Sequence, residues 1–198
     1  MTARERRTGR PIDDHGDPLT FALAGLMAEA PGTIREYDVE DVAVAPPEGP
    51  VLSRPVAGRI RLQRTNRGLV LDAHLTATMA GECARCLRSV DTAADLHLVE
   101  EILPSIDLGS GLAVTPEEGE DPEIVRLTDH HELEVRPLVE EALAMAEPIA
   151  PLCEPDCPGL CIECGERLAP GHGHDTTPID PRLAALRAFR VDDPAQNE

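Results

Sequence analysis

Between Leu69 and Met79 the apolar residues Leu69, Leu71, Ala73, Leu75, Ala77 and Met79 stand at every second position. A period of two puts them on one face of a strand, with the polar residues on the other. The pattern predicts one long, half-buried strand. Before it, Val56 to Arg64 alternates Ile60 and Leu62 with Arg59, Arg61 and Gln63, and Asn66-Arg67-Gly68 supplies a hairpin turn between the two. After it, Val90 to Leu103, with Leu96, Leu98 and Ile102, is predicted to return antiparallel. Weaker signals come earlier: a short strand over Leu19–Leu23, a turn at Pro31-Gly32, and an extended stretch from Thr33 to Val44. Pro46, Pro47, Gly49 and Pro50 mark a loop.

The period then changes. Leu138, Val139, Ala142, Leu143 and Ala146 fall at helical spacing, Pro137 suits a first helical turn, and Pro148 and Pro151 end the run. This helix is predicted to pack on the sheet. Residues 104–123 are acidic and contain Pro and Gly, which reads as a solvated loop. Asp180-Pro181 pairs an N-cap with a proline at the first helical position and opens a short helix through Leu183, Leu186 and Phe189. The expected fold class is α+β: an antiparallel β-sheet core with one packed helix and a C-terminal cysteine/histidine zinc-knuckle segment. The expected organisation is a flexible tail (1–16), the core (17–148), the knuckle segment (149–176), a C-terminal helix (177–190) and a flexible tail (191–198).

Composition narrows the function. Of 198 residues 41% are hydrophobic, enough for a core, but Trp is absent and Tyr37, Phe21 and Phe189 are the aromatics. That excludes a base-stacking platform built on aromatic rings. The net charge of −19 excludes a general nucleic-acid binder with a basic face and leaves room for a basic partner. Arg4, Arg6, Arg7 and Arg10 precede Asp13, Asp14 and Asp17 with no apolar run between, and the patch from Leu19 to Ala28 is short. Neither a signal peptide nor a membrane span is expected, and the expected compartment is the cytoplasm. In a reducing compartment, closely spaced cysteines point to metal more than to disulfides.

Four short steps carry the chemistry: Cys83-Ala-Arg-Cys86, Cys153-x3-Cys157, Cys161-Ile-Glu-Cys164-Gly165 and His172-Gly-His174. Each brings two soft or borderline ligands onto one turn, and glycine after a second ligand permits the left-handed backbone that closes a knuckle. Eight ligands suffice for two tetrahedral zinc sites, both structural. One partition groups Cys83, Cys86, Cys153 and Cys157, leaving Cys161, Cys164, His172 and His174 as a local site. The other gathers Cys153, Cys157, Cys161 and Cys164. The first is preferred because it leaves no pair without partners. A redox role for Cys83 and Cys86 is the competing reading, although such a motif normally opens a helix, and here the neighbours look like strands. His130-His131-Glu132 lacks metalloprotease spacing and reads as a solvated turn; His74 and His97, in strand patterns, read as ordinary sheet histidines.

The order of features resembles the YceD family, described as large ribosomal RNA subunit accumulation proteins. The resemblance rests on Cys83-x-Arg-Cys-Leu87, on Pro151-Leu-Cys-x3-Cys-x-Gly-Leu-Cys-x2-Cys-Gly165 and on Asp180-Pro-Arg-Leu-Ala-x-Leu186, with Pro31-Gly-Thr-Ile-Arg35 at the N-terminal end. It implies a non-enzymatic factor for large-subunit (23S) rRNA accumulation during ribosome assembly, with no small-molecule substrate. The implied partner is the precursor large ribosomal subunit, met through basic ribosomal proteins or a restricted rRNA site. Many relatives have Cys-x-Cys where this chain has His172-x-His174, an exchange that a zinc site accepts and a disulfide does not. Arg59, Arg61, Arg64 and Arg67 on the hairpin, with Arg85 and Arg88 at the knuckle, are candidates for a small basic contact patch, although they read more readily as solvated strand and turn residues. A zinc-stabilised adaptor for an unrelated protein is the alternative from another class.

Overall fold

The computed structural model describes residues 16–47, 49–116, 119–174 and 182–183. In chain order its elements are β1 (Thr20–Ala22), α1 (Ala24–Met27), β2 (Ile34–Val42), β3 (Val51–Arg64), β4 (Leu69–Glu82), β5 (Ser89–Leu103), β6 (Val125–Arg126), β7 (Glu132–Glu134) and α2 (Arg136–Ala146). A five-stranded sheet runs in the order β2-β3-β4-β5-β6, and β1 pairs with β7 in a separate two-stranded ribbon. Strands β2 to β5 are antiparallel neighbours, whereas β6 joins β5 in parallel at Ile102 and Leu103. The architecture is thus α+β on a mostly antiparallel sheet.

Alternation along β4 sorts the residues as a half-buried strand requires. Leu69, Leu71, Ala73, Leu75, Ala77 and Met79 are buried, while His74 and Thr76 are exposed. Ile60 and Leu62 of β3 and Leu96 of β5 share the inner face. The β1–β7 ribbon and both helices contribute Phe21, Leu26, Leu133, Val139 and Leu143 to the same cluster. The turn between β3 and β4 closes as the Thr65 N–H donates to the Gly68 carbonyl at 2.9 Å. Gly68 cannot be replaced lightly, since a Cβ there would lie 2.0 Å from the Ile102 carbonyl oxygen. Helix α2 has a proline in its first turn. Its first residue, Arg136, makes a two-pronged ion pair with Asp17, through Nε to Oδ2 and through Nη2 to Oδ1 at 2.6 Å.

Several short elements depart from the sequence-based expectations. β3 begins at Val51, five residues before the predicted start, because the ladder shifts register between Arg54 and Ala57 and so accommodates Pro55, which has no N–H to donate. The predicted first strand spans Thr20–Ala22 and is followed by the one-turn helix α1. His130 and His131 do lie in a turn, with His131 at φ 59°, but Glu132 opens β7. The loop 104–123 is not solvated throughout: Glu120 has a side chain only 9% exposed and pairs with Arg126 and Arg67. The predicted tails 1–16 and 191–198 lie outside the described residues except for Gly16, as does the helix 177–190 except for Arg182 and Leu183, both exposed.

Candidate metal centres

The first knuckle is the tip of the β4–β5 hairpin. The Cys83 N–H donates to the Arg88 carbonyl at 2.8 Å, and the Leu87 N–H donates to the Cys83 carbonyl at 2.9 Å. The second has the same wiring: the Cys161 N–H donates to the Glu166 carbonyl at 2.7 Å, and the Gly165 N–H to the Cys161 carbonyl at 2.9 Å. In both, the residue after the second cysteine is left-handed, Leu87 at φ 58° and Gly165 at φ 73°. Backbone N–H groups of Glu163 and Glu166 point at the sulfurs of Cys161 and Cys164, at 3.4 and 3.5 Å.

The eight side chains fall into two groups of four, Cys83, Cys86, Cys153 and Cys157, and Cys161, Cys164, His172 and His174. Within each group the ligand atoms all lie within 4.8 Å of one another. The grouping of Cys153, Cys157, Cys161 and Cys164 does not occur among the described residues. Sγ of Cys83 lies 3.7 Å from Sγ of Cys157, and Sγ of Cys86 lies 3.7 Å from Sγ of Cys153. Four sulfurs at about 2.3 Å from a tetrahedral zinc ion stand roughly 3.8 Å apart, so this spacing fits the ion. It is far longer than a disulfide bond of about 2.05 Å, and all six cysteines are free. In the second group the Cys164 sulfur is 3.5 Å from Nε2 of His172 and 3.2 Å from Nε2 of His174. Mixed sulfur and nitrogen ligands of zinc stand roughly 3.5 Å apart. The two imidazole nitrogens are closer, at 2.9 Å. The donor sets therefore fit zinc, the first in a buried setting and the second near the surface.

Each group contains one acidic thiol and one resistant thiol. At Cys83 burial opposes ionisation, yet the backbone N–H groups of Cys153, Cys86 and Arg85 outweigh it and bring the pKa to about 6. At Cys161 the N–H groups of Cys164 and Glu163 do the same against burial, again to about 6. Burial pushes Cys157 up to about 12, with Cys153, Cys86 and Cys83 adding to the rise. For Cys164 the Glu166 N–H favours the thiolate, but burial and the neighbouring Cys161 prevail and raise its pKa. Like charges crowded into one site resist forming together; a divalent cation removes that obstacle and displaces the protons.

Arginines tie the hairpin tip to the C-terminal cysteine segment. Nη1 of Arg85 donates to the Cys157 carbonyl at 3.0 Å, and Nε of Arg167 donates back to the Cys86 carbonyl at 3.2 Å. The Ala84 N–H donates to the Pro151 carbonyl at 2.8 Å. Arg88 has its pKa raised by Cys153 beside it. The remaining candidate arginines also have local partners. Arg59 pairs with Asp38 at 3.1 Å and Arg61 with Asp72 at 3.8 Å. Arg64 donates to the carbonyls of Met27 and Gly68 at 3.1 and 2.9 Å. Arg67 lies 4.0 Å from Glu101 and 3.9 Å from Glu120. β4 separates the Arg67 turn from the Arg85 knuckle. A strand of that length spans about 40 Å, so the six arginines do not form one patch.

The sheet also brings together two histidines that are remote along the chain. His74 and His97 are direct cross-strand partners, and with Asp72 they make a third cluster of potential ligands. The signal was available: both stand the same number of residues from the Cys83–Arg88 pair at the hairpin tip. Register, rather than periodicity, carries that information.

A family model described as Large ribosomal RNA subunit accumulation protein YceD matches residues 71–190, a span that contains all eight candidate ligands. An uncharacterized protein of Mycobacterium tuberculosis is 36% identical over 129 residues, 64% of this chain and 58% of the relative. One of Mycobacterium bovis shows the same identity and coverage, and one of Mycobacterium leprae is 31% identical over 144 residues, 72% of this chain and 62% of the relative. The chain thus spans under two thirds of the length of these curated relatives. No solved structure matches it significantly.

Proposed function

The chain belongs to the YceD family, and from that premise we propose that it supports large-subunit (23S) rRNA accumulation as a non-enzymatic, zinc-stapled assembly factor. The observation that carries this reading is the pair of ligand tetrads lying whole within the matched span. Four protein ligands around each ion leave no position for a reacting water, which is the hallmark of a structural site rather than a catalytic one. Cys83, Cys86, Cys153 and Cys157 would hold one zinc ion and join the hairpin tip to the chain beyond α2. Cys161, Cys164, His172 and His174 would hold the second and close the segment 149–176.

The proposed partner is a basic ribosomal protein of the precursor large subunit, met in the cytoplasm. Two observations favour protein over rRNA as the direct contact. The net charge is −19, and the hairpin arginines Arg59, Arg61 and Arg67 have acidic neighbours. Binding to RNA gains most of its free energy by neutralising phosphates with accessible cations, and these cations are already partnered. Among the described residues no helix is long and apolar enough to cross a membrane.

Depletion of the protein in growing cells tests the reading. Mature large-subunit rRNA is expected to fall relative to small-subunit rRNA, and the protein is expected to co-sediment with precursor large subunits. An unchanged rRNA ratio in a clean depletion would overturn the assembly role and favour an adaptor for an unrelated protein.

A further inference from the structure

The solvent face of the sheet carries a ligand cluster of a different kind. Asp72 and His74 lie two residues apart on one face of β4, and His97 faces His74 across the β4–β5 ladder. Nε2 of His74 is 3.3 Å from Oδ1 of Asp72, and Nε2 of His97 is 3.2 Å from the same oxygen. The two rings stack, with centroids 4.1 Å apart and planes inclined by 14°. Their side chains are 68% and 57% exposed. Exposed histidines have the freedom to turn away from each other; here both direct the same nitrogen to one carboxylate oxygen.

The spacing, which lies within hydrogen-bonding range, also fits ligands around an ion. Nitrogen and oxygen atoms at about 2.0–2.2 Å from a metal, at tetrahedral to octahedral angles, stand roughly 2.9–3.5 Å apart. Both nitrogen–oxygen distances fall in that interval. The neighbouring charges leave Oδ1 available. Arg61 approaches the other carboxylate oxygen, Oδ2, at 3.8 Å. Arg59, the register partner of His74 on β3, is paired with Asp38 at 3.1 Å. Two imidazoles and one carboxylate suit the borderline transition ions rather than magnesium or calcium, which prefer oxygen.

We propose that Asp72, His74 and His97 form a third metal site, open to solvent, for one divalent ion of the zinc–nickel class. The strands hold all three residues in register, so the site exists without any folding of its own. With three protein ligands and an exposed setting, the ion keeps bound water and exchanges more readily than an ion held by either tetrad. The site is independent of the ribosomal reading and of the two structural ions.

Calorimetric titration of the full chain, already loaded with two equivalents of zinc, tests this. Further Zn2+, and in a separate experiment Ni2+, is expected to bind with one additional equivalent; Mg2+ is expected to give no such uptake. His97→Ala and His74→Ala should each weaken that uptake by about tenfold or more, while both tight zinc ions and the thermal midpoint stay as in the wild type. Those two side chains are exposed, so the variants retain the fold. Absence of a third equivalent in the wild type would overturn the proposal. So would a third equivalent that survives unchanged in both variants, since it would then lie elsewhere.

Discussion

Leu87 follows Cys86 in the first knuckle at the position that Gly165 occupies after Cys164 in the second, and both backbones are left-handed. A side chain in that region costs about 1–2 kcal/mol. Leu87 recovers little of this by burial, being 58% exposed. Leu87→Gly should therefore raise the stability of the zinc-loaded protein by about 1 kcal/mol, read as a higher denaturant midpoint. Gly165→Ala should lower it by a similar amount. Nothing lies within 4 Å of a Cβ at Gly165, so that loss would be backbone strain alone. Unchanged midpoints in both would show that the metal, not the backbone, governs the turn. The inner face of β4 gives a second contrast between single residues. Leu71→Asp buries an unpaired charge at a site with 0% exposure and should unfold the chain, with a penalty of several kcal/mol at least. Thr76→Asp, on the solvent face, should shift the midpoint by about 0.5 kcal/mol or less. Equal damage at both positions would contradict the two-faced strand.

On the proposed reading, the knuckle elements would depend on an ion more than on their own packing. The hairpin tip shares a small cluster of Cys83, Cys86 and Cys157 with Val90, Leu152 and Leu160 at its rim, too little apolar surface to hold the segment 149–176 by itself. Structural zinc supplies roughly 10–16 kcal/mol of apparent folding free energy in small modules. A chelator should therefore abolish amide-exchange protection there while β2 to β5 keep theirs. Cys161→Ser should release one of two tight zinc ions and leave the other, measured by metal content after gel filtration; loss of both together would refute independent sites. The start of α2 has a different anchor. The Arg136 guanidinium bonded to Asp17 holds that carboxyl below its ordinary value. A group with a depressed folded pKa stabilises fully above its unfolded value and loses that contribution as the pH falls through the folded one. Asp17→Asn should thus be less stable than the wild type at neutral pH, and the gap should close only below about pH 4.

Across the whole molecule, charge and pairing decide what the surface can meet. With a net charge of −19 and its hairpin arginines beside acids, the protein should bind generic RNA poorly at physiological salt, as measured by filter retention against a basic ribosomal protein mixture. Tight, salt-sensitive binding to generic RNA would reverse the proposed order of contacts. The arginines also show where a reading by residue type stops. Arg59 and Arg61 alternate with Ile60 as a solvent face demands, yet their partners Asp38 and Asp72 come from β2 and β4. Arg85 and Arg167 serve the cysteine segments by reaching backbone carbonyls between the hairpin tip and the chain beyond α2. Neither role leaves a mark in the local pattern.

What the sequence by itself determined is local: the two faces of β4, the hairpins on either side of it, the helical run from Leu138 to Ala146, and the close pairing of cysteines on tight turns. Each of these follows from side-chain alternation or from turn chemistry over a few residues, which propensity and burial enforce without distant help. Tertiary structure decided between the two partitions that the sequence left open, of which the sequence preferred one, and it set the remaining long-range pairings. It brought Cys153 and Cys157 to Cys83 and Cys86, set β6 parallel beside β5, paired the short strands β1 and β7, and turned two sheet histidines toward one aspartate. Periodicity states which face a residue occupies. It is silent on register and on partners remote along the chain, because those depend on how separate elements pack against one core.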